Sequence, residues 1–362
     1  MSEASTGPVE GWPDGSLRQT VDGSYGLGSD AGLPLQIRFL IGVVRLIRIR
    51  QEKIAAEPDA EHGEDLPAVF FFSPMLPDSL EASQLQRSPM LNNGLTPLGD
   101  RFWFVGPLGN YGRALDLQGW GDDAEVFDRA DGLGIDGLPA VLLDNRHDPV
   151  QLRHFPKGLG DPEIAEVVSL GGRDISIEEV LGHVRRAHET NMKTPKLIPK
   201  DLKLWENASK HHPVEQAEKR IQTILRIALA GAMPATVIHE EPNVPAGRID
   251  LEIQEYRGEG VMISHALLEL KVLRSYGSTG KPVSATEVEE VIVEGVSQAA
   301  AYRDDHETKA AALCCFDMRK SESGEQCFVA VREPAEEKKV ALSVYYLFAS
   351  AKRSRPRVKP FS

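Results

Sequence analysis

The stretch that decides the fold is residues 247–272, which read GRIDLEIQEYRGEGVMISHALLELKV. Its first part alternates apolar with polar residues: Ile249, Asp250, Leu251, Glu252, Ile253 and Gln254. This two-residue period predicts a half-buried strand. The apolar run at 265–272 predicts a second strand, and the polar segment at 257–260 predicts a hairpin turn between them.

Three ionisable side chains are expected to converge from these two strands. Glu269 and Lys271 are two residues apart, so on a strand they share one face, while Asp250 comes from the first strand. Charged groups among apolar neighbours are unfavourable unless they pair or bind a metal. Carboxylates suit Mg²⁺, and a neighbouring lysine can orient or deprotonate a water. The pattern therefore indicates a metal-dependent site.

The order of these groups, Asp250 and then Glu269-x-Lys271 nineteen residues later, resembles the PD-(D/E)XK nuclease superfamily. The resemblance covers roughly residues 212–349. It implies a mixed α/β sheet flanked by helices, with Mg²⁺ as cofactor and Mn²⁺ as a substitute. It also implies that Asp250, Glu269 and the Leu270 carbonyl bind the metal, and that Lys271 positions or activates the attacking water. The alternative is a surface hairpin with a salt bridge between Glu269 and Lys271, which the apolar flanks disfavour.

The helix predicted at 214–232 precedes these strands. Glu218 falls in phase with its apolar stripe and Glu215 does not. In the resembled superfamily this helix often donates a glutamate to the site. Glu218 is therefore our choice to hold a second metal or a water, with Glu215 as the fallback. The alternative role of Glu218 is that of a first-turn glutamate favoured by the helix dipole.

A further helix is predicted at 286–303, after the second strand. Gln298 and Tyr302 lie one turn apart on it and so share a face. Q-x-x-x-Y in the helix after E-x-K is a companion feature of one branch of the resembled superfamily. It implies that Gln298 and Tyr302 orient the catalytic shell or a phosphate. An amphipathic helix with an ordinary tyrosine is the alternative.

Length and composition set the broad class. The 362 residues suffice for two domains, and 41% hydrophobic with 26% charged residues is typical of a soluble globular protein without a membrane partner. Three cysteines make no disulfide framework, and the polar start is no secretory signal, so we expect a cytoplasmic protein. The net charge of −13 argues against an extensive basic surface but allows a locally basic groove.

The sequence suggests four successive regions. Residues 1–32 are expected to be a flexible leader, 33–200 a β-rich α+β domain for sensing or recognition, 201–349 the nuclease-like α/β domain, and 350–362 a basic tail. The stretch 191–213, with its prolines and lysines, is interpreted as a linker.

Shorter patterns predict individual elements. Predicted strands lie at 66–72, 101–105, 138–143, 236–238, 310–316, 328–331 and 340–348. A capping box at Ser176 to Glu179 predicts a helix over 176–189. The apolar run at 35–50, which carries four arginines, predicts either a helix or a strand pair.

Together these patterns favour a metal-dependent nuclease that hydrolyses phosphodiester bonds, with DNA favoured over RNA as the partner. A recognition half joined to a nuclease half is the layout of restriction and phage-defence effectors, so we expect such a role. Two alternatives remain: a catalytically silent nuclease fold that binds nucleic acid or assembles, and an RNA-cleaving effector. A homo-oligomer is left open.

Overall fold

The computed structural model describes residues 30, 32–57, 67–88, 90–107, 111–144, 146, 150–240, 243–244, 247–257 and 261–354. The predicted leader lies outside these residues apart from Asp30 and Gly32. The centre of the predicted hairpin turn, 258–260, and the last residues of the predicted basic tail, 355–362, also lie outside them.

The helices of the described chain divide between two sheets. They are α1 (Leu35–Ala56), α2 (Asp123–Gly132), α3 (Ile177–Ala187), α4 (Ala217–Ala232), α5 (Ala285–Asp305) and α6 (Arg332–Glu337). Ser176 caps α3 by accepting the Glu179 N–H, and Ser284 and Glu287 form a reciprocal capping box at the start of α5. Of these helices, α3, α4 and α5 confirm the helices predicted at 176–189, 214–232 and 286–303, with bounds shifted by up to three residues; α2 and α6 were not predicted.

The first sheet confirms that the N-terminal half is rich in strands. Its strands are β1 (Ala68–Phe72), β2 (Gln86–Ser88), β3 (Arg101–Val105), β4 (Gly112–Asp116), β5 (Ala140–Asp144), β6 (Gln151–Phe155) and β7 (Glu166–Val168). They lie in the order β2-β4-β3-β1-β5-β6-β7. Within the described residues β1 and β3 run parallel and the other neighbours antiparallel.

The ambiguous run at 35–50 is helical, and it forms α1, which joins the two halves. One side of α1 packs on the first sheet through a cluster that includes Phe39 and Val43, while α2 covers the opposite face of that sheet. Ile41 belongs to the cluster that contains α4. The guanidinium of Arg48 donates hydrogen bonds to the backbone carbonyls of Ala235 and Tyr256, so it is engaged by other segments of the same chain.

The second sheet contains β-strands from the stretch 247–272. The strands of the second half are β8 (Trp205–Asn207), β9 (His212–Pro213), β10 (Val237–Glu240), β11 (Asn243–Val244), β12 (Gly247–Arg248), β13 (Leu251–Tyr256), β14 (Met262–Leu273), β15 (Ala311–Asp317) and β16 (Val340–Tyr346). Of these, β8 pairs with β9 and β11 with β12 in separate two-stranded sheets, and the other five form the second sheet. The sheet order is β10-β13-β14-β15-β16. β10, β13 and β14 are antiparallel, and β14, β15 and β16 are parallel. The predicted antiparallel pairing of β13 with β14 is confirmed.

Helices cover both faces of this mixed sheet. Apolar residues of α3 and α4 pack on one face with the side chains of Leu268 and Leu270. Apolar residues of α5 and α6 pack on the other face with Leu267 and Leu313. Alternation along β14 therefore sends Glu269 and its odd-numbered neighbours towards α5. The chain is of mixed α/β class, as predicted.

Two local predictions are wrong. Residues 328–331 are not a strand: they follow a 3₁₀ turn, Gly324–Phe328, and lead into α6, because Phe328, Val331 and Ala335 are buried at helical spacing. Strand β13 is not half-buried. Glu252 and Glu255 on it are both buried, since ion pairs with histidine and arginine side chains cover them.

The stretch 191–213 is packed, which argues against its interpretation as a linker. Met192, Ile198, Leu204 and Trp205 are buried in the cluster that contains α4. The domain limits at 33–200 and 201–349 stay a prediction, because packing alone does not show which part folds independently. None of the helices within the described residues combines the length and the apolar character needed to cross a membrane.

Candidate active site

The candidate site forms where β14 loses its neighbour. Leu268 is the last residue of β14 paired with β13, opposite Leu251. Leu270 and Val272 also direct their backbone N–H and C=O groups to the β13 side of β14, but they lie past the last residue that pairs with β13. An edge of a strand leaves unpaired N–H and C=O groups, and buried ones need partners.

Two carboxylates take the place of the missing strand. Asp250, the residue before β13, accepts the Leu270 N–H at 2.7 Å. Glu218, in the first turn of α4, lies near the Val272 N–H, which lowers its pKa against the larger effect of burial. Asp250 is itself held by α4, because the Gln222 side chain donates to the Asp250 carbonyl at 2.6 Å. At the open edge of β14, two acidic side chains thus lie beside the backbone N–H groups of Leu270 and Val272, where β13 no longer pairs with the strand.

The Leu270 carbonyl faces the same edge. The Leu267 N–H and the Leu273 carbonyl bond towards β15, so odd-numbered residues use their backbone groups on that side. The N–H and C=O of one residue point to the same side of a strand. The Leu270 carbonyl therefore points to the same side as the Leu270 N–H, which is the side on which Asp250 lies.

Glu269 and Lys271 lie side by side on the α5 face. The Lys271 Nζ donates to Glu269 Oε1 at 2.6 Å. Glu269 is buried, with 3% of its surface exposed, and its second oxygen, Oε2, has no hydrogen-bond partner within the described part of the chain. An unpaired buried carboxylate oxygen is unfavourable. This oxygen is available to a further ligand.

Gly295 allows α5 to cross directly over this pair. A Cβ at that position would lie 2.7 Å from Leu313 Cδ1 and 3.2 Å from Lys271 Cγ. Any larger residue would push α5 away from β14. The helix interior otherwise disfavours glycine, so its presence here is explained by close packing.

The electrostatics of the cluster reflect crowding of negative charge. Burial, reinforced by the charge of Asp250, raises the pKa of Glu269 to about 7 despite the opposing effect of Lys271. Burial and then Asp250 also raise the pKa of Glu218. For Lys271, burial works to lower the pKa, but the surrounding carboxylates, Glu269 first among them, outweigh it and raise the pKa. Lys271 therefore stays a cation at neutral pH.

Gln298 and Tyr302 lie on the face of α5 that contains Gly295. Positions three and four residues apart on a helix share a face, which aligns 295, 298 and 302. Tyr302 is buried in the apolar cluster with β14 and β15. The Gln298 amide donates to Glu294 at 3.2 Å, and its Oε1 is buried without a hydrogen-bond partner among the described residues.

The residues present fit a hard divalent cation. Asp250 and Glu269 offer carboxylate oxygens, one of them unpaired, and Leu270 offers a carbonyl. Mg²⁺ commonly takes one or two protein carboxylates and completes its shell with water and substrate phosphate. No group of three His, Cys, Asp or Glu side chains in the described residues is already arranged around a common point for a metal. The proposed set accordingly relies on two carboxylates and a backbone oxygen.

The structure also separates residues that the sequence left undecided and adds others. Glu218 reaches the cluster, whereas Glu215 is exposed ahead of the start of α4. Sequence reasoning missed Gln222 and Gly295. Both left a signal: Gln222 stands one turn after Glu218, and a glycine within a helix usually has a packing reason.

Comparisons of the chain with family models, with curated proteins and with solved structures find no match. The function is therefore inferred from the geometry of the candidate site.

Proposed function

We propose that this chain is a metal-dependent nuclease whose second sheet is a PD-(D/E)XK-like core. The observation that carries the proposal is the convergence of Asp250, Glu218 and the Glu269–Lys271 pair at the open edge of β14. A buried edge of this kind could have been closed by another strand or by apolar packing. Three carboxylates and one lysine lie at this edge instead. Such a cluster is unfavourable unless it binds a cation or takes part in catalysis.

In this proposal Asp250, Glu269 and the Leu270 carbonyl hold Mg²⁺, for which Mn²⁺ can substitute. Mg²⁺ supplies charge stabilisation at the scissile phosphate when it is bound. Lys271, which keeps its proton near neutral pH, attracts the phosphate and donates a hydrogen bond that positions the attacking water. Glu269 loses its remaining proton when a cation binds, because the cation favours the ionised carboxylate.

The other residues have supporting roles. Glu218, which lies near the Val272 N–H at the edge of the cluster, accepts a hydrogen bond from a water or contributes to a second metal. The Gln298 Oε1 has unused acceptor capacity on the same face as Gly295, and it orients a water or the Lys271 ammonium. Tyr302 packs beneath that face and fixes the rotation of α5.

DNA is the favoured substrate, and a restriction or phage-defence effector is the proposed role, with the first sheet serving recognition. Support for a recognition role is the direct packing of α1 between the first sheet and α4, the helix that carries Glu218 and Gln222. A ligand bound at the first sheet could therefore act on the candidate site through α1.

The test is incubation of the purified protein with DNA and with RNA of one sequence, each with Mg²⁺ or with EDTA. The proposal expects cleavage of DNA with Mg²⁺ only. Cleavage of RNA alone would support the RNA-cleaving effector. Binding without cleavage in every metal condition would support a nuclease fold that acts only as a nucleic-acid-binding or assembly module.

A further inference from the structure

A cluster of basic side chains lies just beyond the candidate site, at the C-terminal ends of β14 and β15. It consists of Lys320, which contacts Tyr276, of Arg353, which contacts His211, and of Arg274, which directly follows β14; we call these five residues the basic cluster. Arg274 follows β14 directly and its charge lowers the pKa of Glu218, although burial raises that pKa overall. Arg274 therefore lies within electrostatic range of Glu218 in the candidate site.

Lys320 is held in place by the loop that follows β14. Its backbone N–H donates to Ser275 Oγ at 3.2 Å. Its ammonium group donates to the Tyr276 hydroxyl and lies 4.6 Å from the centre of the Tyr276 ring. The loop itself is organised by a backbone bond from Gly277 to the Lys281 carbonyl, and by a bridge between Tyr276 and Pro282. The lysine is thus preorganised, with little rotamer freedom to lose on binding.

Arg353 is held by a buried histidine, His211, on whose pKa Lys320 also acts. Its guanidinium donates to His211 Nε2 at 2.8 Å. Arginine cannot accept a hydrogen bond, so this nitrogen of His211 carries no proton. Burial first, and then the charges of Arg353 and Lys320, lower the pKa of His211. One arginine is therefore fixed on a neutral histidine, and the charge of Lys320 acts on the same histidine.

Lys320 and Arg353 have no ion-pair partner among the described residues: no salt bridge joins either of them to a carboxylate, in a chain whose net charge is −13. Arg274 is the member of the basic cluster that lies near an acidic group, Glu218. Like charges brought together by the fold repel each other unless an anion offsets them. Exposed arginine and lysine side chains spaced along a surface are suited to the phosphates of a nucleic-acid backbone.

We infer that the basic cluster binds backbone phosphates of a nucleic acid on one side of the bond that the candidate site cleaves. This inference rests on the proposed function. Ser275, which accepts the Lys320 N–H, lies four positions after Lys271, a distance of at most about 13 Å along an extended chain. At about 3.4 Å of rise per nucleotide, this distance spans about four stacked nucleotides. The contacted phosphates should therefore lie within about four nucleotides of the cleaved bond, on one side of it.

The test is binding of a labelled DNA duplex and an RNA duplex of the same sequence, in EDTA, over a series of salt concentrations. The proteins are wild type, Lys320→Gln, Arg353→Gln, the double variant, and Lys53→Gln as the control on the exposed last turn of α1. Thermal melts confirm that each variant is folded. Each neutralisation in the basic cluster should reduce the slope of log affinity against log salt by about 0.9, and the control by nothing.

The outcomes separate this inference from the proposed function. A wild-type slope in the folded double variant, or no binding of either duplex by wild type, overturns the inference. Binding that depends on the basic cluster but is never followed by cleavage in Mg²⁺ supports the inference and contradicts the nuclease. Preference for the RNA duplex with the same dependence supports the cluster and changes the substrate to RNA.

Discussion

The carboxylate of Asp250 accepts the backbone N–H of Leu270 at 2.7 Å, at the point where β13 no longer covers β14. The Asp250 side chain thereby accepts the hydrogen bond that a neighbouring strand would otherwise accept. Unlike a backbone carbonyl, this side chain carries a negative charge, which acts on Glu269. The raised pKa of Glu269 follows from burial and from this proximity. The structural and the chemical roles of Asp250 are consequently separable.

Asp250→Asn should separate them. The amide oxygen can still accept the Leu270 N–H, so the metal-free protein should remain folded and keep or increase its thermal midpoint, because one repulsive charge is gone. Mg²⁺ should stabilise wild type by mass action, by about 2.7 kcal/mol at a hundred times the dissociation constant, and the variant by far less. Thermal melts with and without Mg²⁺ measure both effects. Asp128→Asn, at an exposed position of α2, should keep the wild-type response.

The pKa of Glu269 predicts a pH dependence of stability. With a folded-state pKa of about 7 against 4.5 for the free side chain, the folded protein binds more protons than the unfolded chain between these values. Stability should therefore fall as pH rises through this window, by on the order of 3 kcal/mol. Denaturant unfolding of wild type and Glu269→Gln in EDTA at pH 5 and pH 8 isolates the effect. An equal stability difference between the two proteins at both pH values would contradict it.

The same carboxyl predicts how metal binding responds to pH. A cation binds the ionised form, so Mg²⁺ affinity should rise as pH increases through about 7 and then level off, with release of up to one proton. Calorimetric titrations in two buffers with different ionisation enthalpies count the protons. Affinity that is independent of pH between 6 and 8 would remove Glu269 from the ligand set.

Gly295 and Gly182 form a matched pair for testing the crossing of α5 over β14. A Cβ at Gly295 would meet Leu313 at 2.7 Å and Lys271 at 3.2 Å, so Gly295→Ala should destabilise the fold by about 1–3 kcal/mol and disturb Lys271. Gly182, within α3, has open space around it, so Gly182→Ala should stabilise by about 0.5–1 kcal/mol. Denaturant unfolding measures both. Similar effects of the two substitutions would show that α5 does not pack closely at Gly295.

The stretch 191–213 should resist proteolysis, although it carries exposed lysines such as Lys196 and Lys200. Cleavage requires local unfolding, and Leu204 and Trp205 anchor this stretch in the core. Limited trypsin digestion followed by mass spectrometry provides the measurement. Early cuts at these lysines that leave two resistant fragments would restore the interpretation as a linker.

The sequence was sufficient for the features that depend on local pattern. Alternation located β13 and β14, and helical spacing located α4 and α5. It also identified Asp250, Glu269 and Lys271 as groups that would converge, because two-residue spacing on adjacent strands fixes direction. The spacing could not show that the Asp250 side chain bonds a β14 amide, since this depends on where β13 ends.

Other features escaped because they depend on contacts between distant segments. The burial of Glu252 and Glu255 follows from covering groups such as His306 and Arg48, far away in the chain. The apolar run at 328–331 suits a strand in isolation, and only packing of Phe328 beside α6 makes it a turn. The hydrogen bond between Arg353 and His211 joins two segments that are far apart in the chain, and no local sequence pattern predicts it.

The central claim is that the Glu269–Lys271 pair and its neighbours hydrolyse a phosphodiester bond. Single-turnover cleavage of labelled DNA in Mg²⁺ by wild type and by Lys271→Met tests it most directly, because methionine keeps the length of the side chain under α5 and removes the ammonium. We predict cleavage by wild type, abolished by EDTA, and loss of cleavage in a variant that melts cooperatively and still binds DNA. Equal cleavage rates for the two folded proteins, or no cleavage of DNA by wild type at any Mg²⁺ concentration, would contradict the account.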